Sequence, residues 1–115
     1  MAEVTLWHNP RCTKSRAALK LLEEKGIHPT IRLYLVDPPD ARTLQRILRL
    51  LKIRAEDLVR KNEPIYKEHF KGKILTDEAW IQVLLKYPRL IQRPIVIYGR
   101  KAKIGRPPEK LLDLF

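Results

Sequence analysis

The chain has 115 residues, 44% of them hydrophobic, and 24 basic against 13 acidic residues give a formal net charge of +11. This length suits one domain with one real core, and no apolar run approaches the roughly 20 residues that a transmembrane helix needs. A single cysteine and a first stretch, MAEVTLWHNP, without a long apolar region exclude a disulfide-built secreted domain, so we expect a cytoplasmic location.

The first third of the chain predicts a strand, a helix and a second strand. Residues 4–7 (VTLW) are β-prone and apolar, and Asn9-Pro10 is a turn signal that ends this strand. Apolar residues then recur at helical spacing over residues 13–25. The β-prone segment TIRLYL at 30–35 is the second predicted strand. A strand, a helix and a strand in so short a space form a βαβ unit with parallel strands.

The middle of the chain is predicted to be helical, and its end returns to strands. The turn DPPD precedes the first helix of the middle part, and Thr76 is the expected N-cap of another helix. Near the end, two short β-prone runs flank Gly99-Arg100, which predicts a hairpin. The remaining predicted elements are helices at about 44–51, 55–60 and 76–87, strands at 94–98 and 101–104, and a last helix from 107.

This order of elements is typical of the thioredoxin-like arrangement, an α/β fold with a mixed sheet of about four strands. The predicted architecture is a βαβ unit, a helical insertion at about 40–90, a β-hairpin and a C-terminal helix. We expect residues 1–115 to form a single domain and a monomer.

The basic residues are spread along the chain and form neither a tail nor one dense cluster. A solvated basic surface accounts for this distribution, and its field would also attract small oxyanions. We do not expect nucleic-acid binding, because the sequence has no helix-turn-helix and no aromatic stacking pattern.

Cys12 lies where the first predicted strand meets the first predicted helix. Free backbone N–H groups at a helix N-terminus attract negative charge and lower the pKa of a thiol there. Arg11, Lys14 and Arg16 add positive charge nearby, and the Ser15 hydroxyl could point at the sulfur. These features favour a nucleophilic thiolate. The alternative is a buried, inert cysteine.

Ser15 stands where a C-x-x-C motif would have its second cysteine. A thiol that resolves an intermediate on Cys12 must therefore come from another molecule, and glutathione and glutaredoxin are cytosolic donors of this kind. The C-x5-R loop of cysteine phosphatases is absent, because Ala18 occupies the arginine position. This argues against a tyrosine-phosphatase mechanism.

Four segments of the chain together resemble the glutaredoxin-linked arsenate reductases of the thioredoxin-like kind. The resemblance runs from Val4 to Leu114. The four segments, in chain order, are HNPRCTKSR (8–16), LVRKNEPIYKE (58–68), RPIV (93–96) and GRPPEKLLDL (105–114).

The resemblance implies an oxyanion site around a reactive cysteine. The family's nucleophile corresponds to Cys12. Its three oxyanion-binding arginines correspond to Arg60, Arg93 and Arg106. Arginine forks bind such anions with paired hydrogen bonds and stay charged. The supporting positions are His8, Asn9, Ser15, Arg16 and Pro94.

Two of these supporting positions carry specific expectations. His8, as a cation near Cys12, would favour the thiolate. A proline that opens this strand of a thioredoxin-like fold is usually cis, so we expect a cis peptide between Arg93 and Pro94.

The reaction implied by the resemblance is arsenate reduction. The Cys12 thiolate attacks arsenate, glutathione adds as a co-substrate, glutaredoxin resolves the mixed disulfide, and arsenite leaves. No bound metal or organic cofactor is implied, because the reducing equivalents arrive as thiols. Two alternatives stay open: a glutathione-dependent thiol oxidoreductase with another substrate, and a redox regulator of the same fold that binds RNA polymerase. Ser15 in place of a second cysteine argues against the regulator.

Overall fold

The computed structural model describes residues 3–115. These residues divide into two compact units, one formed by 3–37 with 93–115 and the other by 38–92. No helix of the described residues is long and apolar enough to cross a membrane. The elements, in chain order, are β1 (Val4–Trp7), α1 (Thr13–Glu24), β2 (Thr30–Arg32), α2 (Ala41–Leu51), a 3-10 helix (Ala55–Leu58), α3 (Pro64–His69), α4 (Asp77–Lys86), a 3-10 helix (Pro88–Leu90), β3 (Ile95–Tyr98), β4 (Lys101–Ile104) and a 3-10 helix (Pro108–Leu114).

The first unit contains a four-stranded mixed sheet with the strand order β2-β1-β3-β4. β1 is parallel to β2, with Leu6 opposite Ile31. β1 is antiparallel to β3, with Trp7 opposite Ile95, and β3 is antiparallel to β4, with Ile95 opposite Ile104. The predicted α/β class, the mixed sheet of four strands and the parallel βαβ unit are confirmed.

The core of the first unit lies between α1, the sheet and the C-terminal 3-10 helix. Leu6 and Val96 come from the two central strands, and Ala18 and Leu22 come from one face of α1. Full burial of a leucine or valine side chain stabilises the folded state by about 1.5–3 kcal/mol. The buried members of this core are Leu6, Ala18, Leu22, Val96, Leu111 and Leu114.

Strand β2 is shorter than the predicted strand over 30–35. The backbone N–H groups of Val36 and Asp37 both donate to the Leu33 carbonyl, at 3.0 and 2.8 Å, and close a turn. The side chains of this segment are β-prone and do not predict the turn, because the hydrogen bonds that close it join backbone atoms.

The C-terminal helix begins at Pro108, close to the predicted start, but it is a 3-10 helix. Its buried side chains, Leu111 and Leu114, are three residues apart. Residues at i and i+3 share one face of a 3-10 helix, so this spacing suits three residues per turn. The same spacing also fits an α-helix, which is why the sequence does not distinguish the two.

The second unit is the helical insertion. α2 begins after Asp40, whose side chain accepts a hydrogen bond from the Thr43 N–H at 2.8 Å. Its buried residues Leu44, Ile47 and Leu48 lie on one face of the helix. α2 packs against α4.

α4 begins after Thr76, the predicted N-cap, whose hydroxyl accepts a hydrogen bond from the Ala79 N–H at 3.1 Å. Helix α3 was not predicted. It has six residues, none of them buried, so it carries no apolar period, and its one local signal is Pro64 at the first helical position.

Candidate active site

Cys12 is the N-cap residue of α1, at the end of the turn that follows β1. Its N–H donates to the Asn9 carbonyl at 2.9 Å, and its carbonyl accepts from the Arg16 N–H at 3.0 Å. The thiol is free and partly exposed. Cys12 is therefore accessible to a substrate and is not the buried, inert cysteine of the alternative interpretation.

The pKa of Cys12 is lowered from the ordinary thiol value. Burial raises this pKa, but the Ser15 backbone N–H, the Arg93 charge, the Lys14 backbone N–H and a hydrogen bond from Arg93 together outweigh it. The contributions of the Ser15 and Lys14 N–H groups have the direction expected of a helix N-terminus. The charge that lowers the pKa is that of Arg93, whereas the sequence suggested Arg11, Lys14 and Arg16.

Arg93 combines a position beside Cys12 with unused hydrogen-bonding capacity. Its Nε and Nη1 atoms are buried and have no hydrogen-bond partner among residues 3–115. A buried donor without an acceptor costs about 1–3 kcal/mol, and more when the group is charged. An anion in contact with this guanidinium would supply the acceptors that the protein does not.

Arg106 lies at the same end of the sheet as Arg93. Ile95 pairs with Ile104, and the Gly105 N–H donates to the Pro94 carbonyl at 2.9 Å. Arg106 follows Gly105 directly, as Arg93 directly precedes Pro94.

Two arginine–proline peptides at this end of the sheet are cis. The Arg93–Pro94 peptide is cis, as predicted. The Arg106–Pro107 peptide is also cis, which the sequence analysis did not predict.

His8 and Ser15 form a buried pair below the turn that carries Cys12. His8 Nδ1 lies 2.6 Å from Ser15 Oγ, and Oγ also accepts a hydrogen bond from the Asn9 N–H at 3.0 Å. Burial and the charge of Arg16 lower the pKa of His8 below its ordinary value, which favours the neutral ring.

Both residues therefore act differently from the expectation. The charged form of His8 that the sequence suggested is disfavoured, because burial and the Arg16 charge lower the pKa of the ring. The Ser15 hydroxyl is committed to His8 and Asn9, and it is the Ser15 backbone N–H that lowers the pKa of Cys12. The pair holds the turn in place.

The turn has two further hydrogen bonds from predicted site residues. Asn9 Oδ1 accepts from the Arg11 N–H at 3.0 Å. Arg16 Nη1 donates to the Pro10 carbonyl at 3.2 Å. Asn9 and Arg16 thus brace the loop that presents Cys12.

Arg60 belongs to the second unit. Its N–H donates to the Leu90 carbonyl at 2.6 Å, next to a β-bridge between Val59 and Ile91. Its Nη1 lies 2.5 Å from Glu63 Oε1, and the two side chains are 13% and 12% exposed. Glu63 was not predicted as a site residue. Its position three residues after Arg60 could have indicated an ion pair between the two side chains.

The structure thus brings Cys12, Arg93 and Arg106 to one end of the sheet in the first unit. It places Arg60 in the second unit, in an ion pair with Glu63.

Comparisons with known proteins agree over nearly the whole chain. A family model described as the ArsC family matches residues 7–114. The uncharacterized protein YfgD of Escherichia coli K12 is 46% identical over 114 residues, which is 97% of this chain and 96% of YfgD. An arsenate reductase of Haemophilus influenzae is 42% identical over 113 residues, 96% of this chain and 97% of its own. The structure of the arsenate reductase from Vibrio cholerae superposes with a TM-score of 0.94 at 38% identity, covering 99% of this chain and 98% of that one.

Proposed function

The chain belongs to the ArsC family, and we propose that it reduces arsenate to arsenite with Cys12 as the nucleophile. The observation that carries this proposal is Arg93. Its guanidinium lowers the pKa of the accessible thiol and has two buried nitrogens without an acceptor among residues 3–115. A thiolate beside unsatisfied cationic donors suits a tetrahedral oxyanion.

The charges explain why this arrangement promotes the first step. Arsenate, like phosphate, carries between one and two negative charges at neutral pH, so an attacking thiolate meets repulsion. Arg93 stabilises the thiolate and, through its other donors, the anion that the thiolate attacks. Arg106, at the same end of the hairpin as Arg93, adds a second cation.

By the resemblance of the LVRKN segment, Arg60 is proposed as a third anion-binding arginine of the chain. Its largely buried guanidinium is held by the Glu63 carboxylate. An arginine held by an ion pair loses less side-chain freedom when it binds an anion.

The electrons come from thiols. The Cys12 sulfur forms a bond to arsenic while one arsenate oxygen leaves as water, and glutathione adds next. Arsenic gains two electrons as two thiols become one disulfide, and arsenite leaves. Cys12 is the only cysteine of the chain, so both resolving thiols are external, and we propose glutathione and glutaredoxin as the donors in a cytoplasmic setting.

The test is arsenate-dependent oxidation of NADPH in the presence of glutathione, glutaredoxin and glutathione reductase. We expect Cys12→Ser to abolish the activity and Arg93→Ala to remove most of it. Arg100→Ala is the matched control, because Arg100 is exposed in the turn at the other end of the same hairpin. Absence of arsenate-dependent oxidation in the wild type would overturn the proposal. A Cys12 that still reacted rapidly with alkylating agents would then indicate another substrate for the same thiol.

A further inference from the structure

The exposed apolar side chains of the protein are concentrated in one segment. Among the described residues, six large hydrophobic side chains are exposed, and four of them lie within six consecutive positions. Solvent-exposed aliphatic side chains are common singly, whereas a contiguous group marks an interaction site. The four are Ile31, Leu33, Leu35 and Val36, with exposures of 39%, 39%, 39% and 81%.

Three of these side chains form one wall of a groove beside the reactive loop. Leu33, Leu35 and Val36 line the groove together with residues 8–11, and its volume is about 340 Å³. Residues 8–11 immediately precede Cys12. The apolar segment thus adjoins the loop that presents the thiol. We call Leu33, Leu35 and Val36 the apolar wall.

Hydrogen bonds and aromatic contacts fix the conformation of the apolar wall, so it is not a frayed end of β2. The Leu33 carbonyl accepts two backbone hydrogen bonds from the residues that close the turn. Tyr34, between the outward leucines, turns inward and stacks on Trp7 with a centroid distance of 6.2 Å. The Arg32 guanidinium lies over the same Trp7 ring at 5.5 Å. These contacts fix Leu33 and Leu35 on the outside.

The last step of the proposed reaction requires a second molecule next to Cys12. In the proposed reaction Cys12 ends in a disulfide with glutathione. The donor's thiolate attacks the glutathione sulfur, the bond to Cys12 breaks, Cys12 leaves as a thiolate, and a donor–glutathione disulfide forms. A protein that brings its cysteine to this sulfur must also cover the surface next to Cys12.

Charge and surface character indicate what kind of protein fits. Arg11 lines the groove, and the exposed Lys14 and Arg16 lie in the first turn of α1, which follows the reactive loop. Acidic side chains around the partner's cysteine would complement them. A small, polar, doubly carboxylated thiol such as glutathione does not need three outward aliphatic side chains, whereas a protein interface buries such residues at its centre.

We infer that the apolar wall is the docking site of the protein thiol donor, a protein with an apolar surface beside its cysteine and an acidic rim. This inference rests on the proposed function for the final step. The apolar wall and the anion site are different surfaces. The apolar wall follows β2, whereas Arg93 precedes β3, and these two strands flank β1 on opposite sides. The inference therefore assigns a second surface to a second partner.

The experiment uses the isolated last step, with glutaredoxin as the probe. Cys12 is the only cysteine, so treatment with oxidised glutathione loads the protein at one position. The second-order rate of reduction of this mixed disulfide is then measured with glutaredoxin, with free glutathione and with dithiothreitol. No arsenate is present, so the result is independent of whether the chain reduces arsenate.

The variants are Leu35→Ser with Val36→Asp, and Val36→Asp alone as the milder change. Ile74→Asp is the matched control, because Ile74 is 98% exposed in the other unit. We expect the double variant to lower the glutaredoxin rate by about tenfold, the loss typical of removed anchor contacts, and to leave both small-thiol rates unchanged. Circular dichroism checks that each variant is folded.

Three outcomes would overturn the inference. The first is that glutaredoxin reduces the mixed disulfide of both variants at the wild-type rate. The second is an equal loss with dithiothreitol, which would indicate a disturbed Cys12 loop. The third is an equal loss with free glutathione, which would assign the groove to the small thiol.

Discussion

Arg93 and Arg106 lie at the same end of the β3–β4 hairpin, one just before β3 and the other just after β4. The pairing of Ile95 with Ile104 and the 2.9 Å bond from the Gly105 N–H to the Pro94 carbonyl bring the two segments together there. Two like charges at one end of a hairpin repel each other. A bound anion would convert this repulsion into attraction, so ligand binding and folding stability are coupled at this point.

Inorganic phosphate should therefore stabilise the protein against heat. A ligand that binds only the folded state adds about 2.7 kcal/mol when its concentration is 100 times the Kd. We expect phosphate to raise the Tm of the wild type relative to chloride at equal ionic strength, and Arg93→Ala or Arg106→Ala to remove most of the rise. Differential scanning fluorimetry measures it. Loss of the same size in Arg100→Ala would show that the effect is general charge screening.

The reactivity of Cys12 should depend on pH in a way that Arg93 controls. The pKa of Cys12 is lowered, so the thiolate persists to more acidic pH than in an ordinary cysteine. Removal of the Arg93 charge raises the pKa, so Arg93→Ala should shift the alkylation profile toward alkaline pH. The rate with iodoacetamide between pH 5 and 10 reports the midpoint. A profile of Arg93→Ala that coincides with the wild type would contradict this assignment.

Ser15 should matter for stability and little for the pKa of the thiol. Ser15→Ala leaves its backbone N–H near Cys12 in place but removes the acceptor of the Asn9 N–H and the partner of His8. Buried groups without partners cost about 1–3 kcal/mol, so we expect a loss of that order in the free energy of unfolding in urea. The midpoint of the alkylation profile should move little. A large shift of that midpoint would mean that the hydroxyl itself acts on the sulfur.

The ion pair of the second unit should contribute more than an ordinary surface pair. Glu63→Ala leaves the Arg60 charge largely buried without its carboxylate, and we expect a loss of about 1–3 kcal/mol in unfolding free energy. Glu68→Ala is the control, because Glu68 is exposed and surface changes usually stay within about 0.5 kcal/mol. Equal effects of the two substitutions in urea unfolding would show that the pair is not specially stabilising.

The spacing of apolar residues predicted the larger helices and strands, because the residues that one face buries recur at the period of the element. Helix α1 buries Ala18 and Leu22 on the sheet, and the required spacing is visible in the sequence. Helix α3 buries none of its six residues and therefore carries no such signal. The early end of β2 depends on backbone hydrogen bonds to Leu33, which side-chain types do not reveal.

In the candidate site too, some features depend on residues that are neighbours in the sequence and others on residues that only the fold brings together. The effect of the helix N-terminus on Cys12 is local and was predicted from the sequence. The contribution of Arg93 depends on the pairing of β1 with β3, which joins the two ends of the chain. The lowered pKa of His8 depends first on its burial in the folded unit, and burial of a polar residue after a strand has no marker in the sequence.

The pairing of β1 with β3 also has a consequence during synthesis of the chain. Cys12 leaves the ribosome well before Arg93 and Arg106 are translated, because both arginines follow it far along the chain. Until β3 is made and joins β1, a nascent chain carries a cysteine that lacks the guanidinium which activates it. The thiol therefore gains its full reactivity only once β3 has been made and has paired with β1, and a chain that lacks β3 is less exposed to premature oxidation.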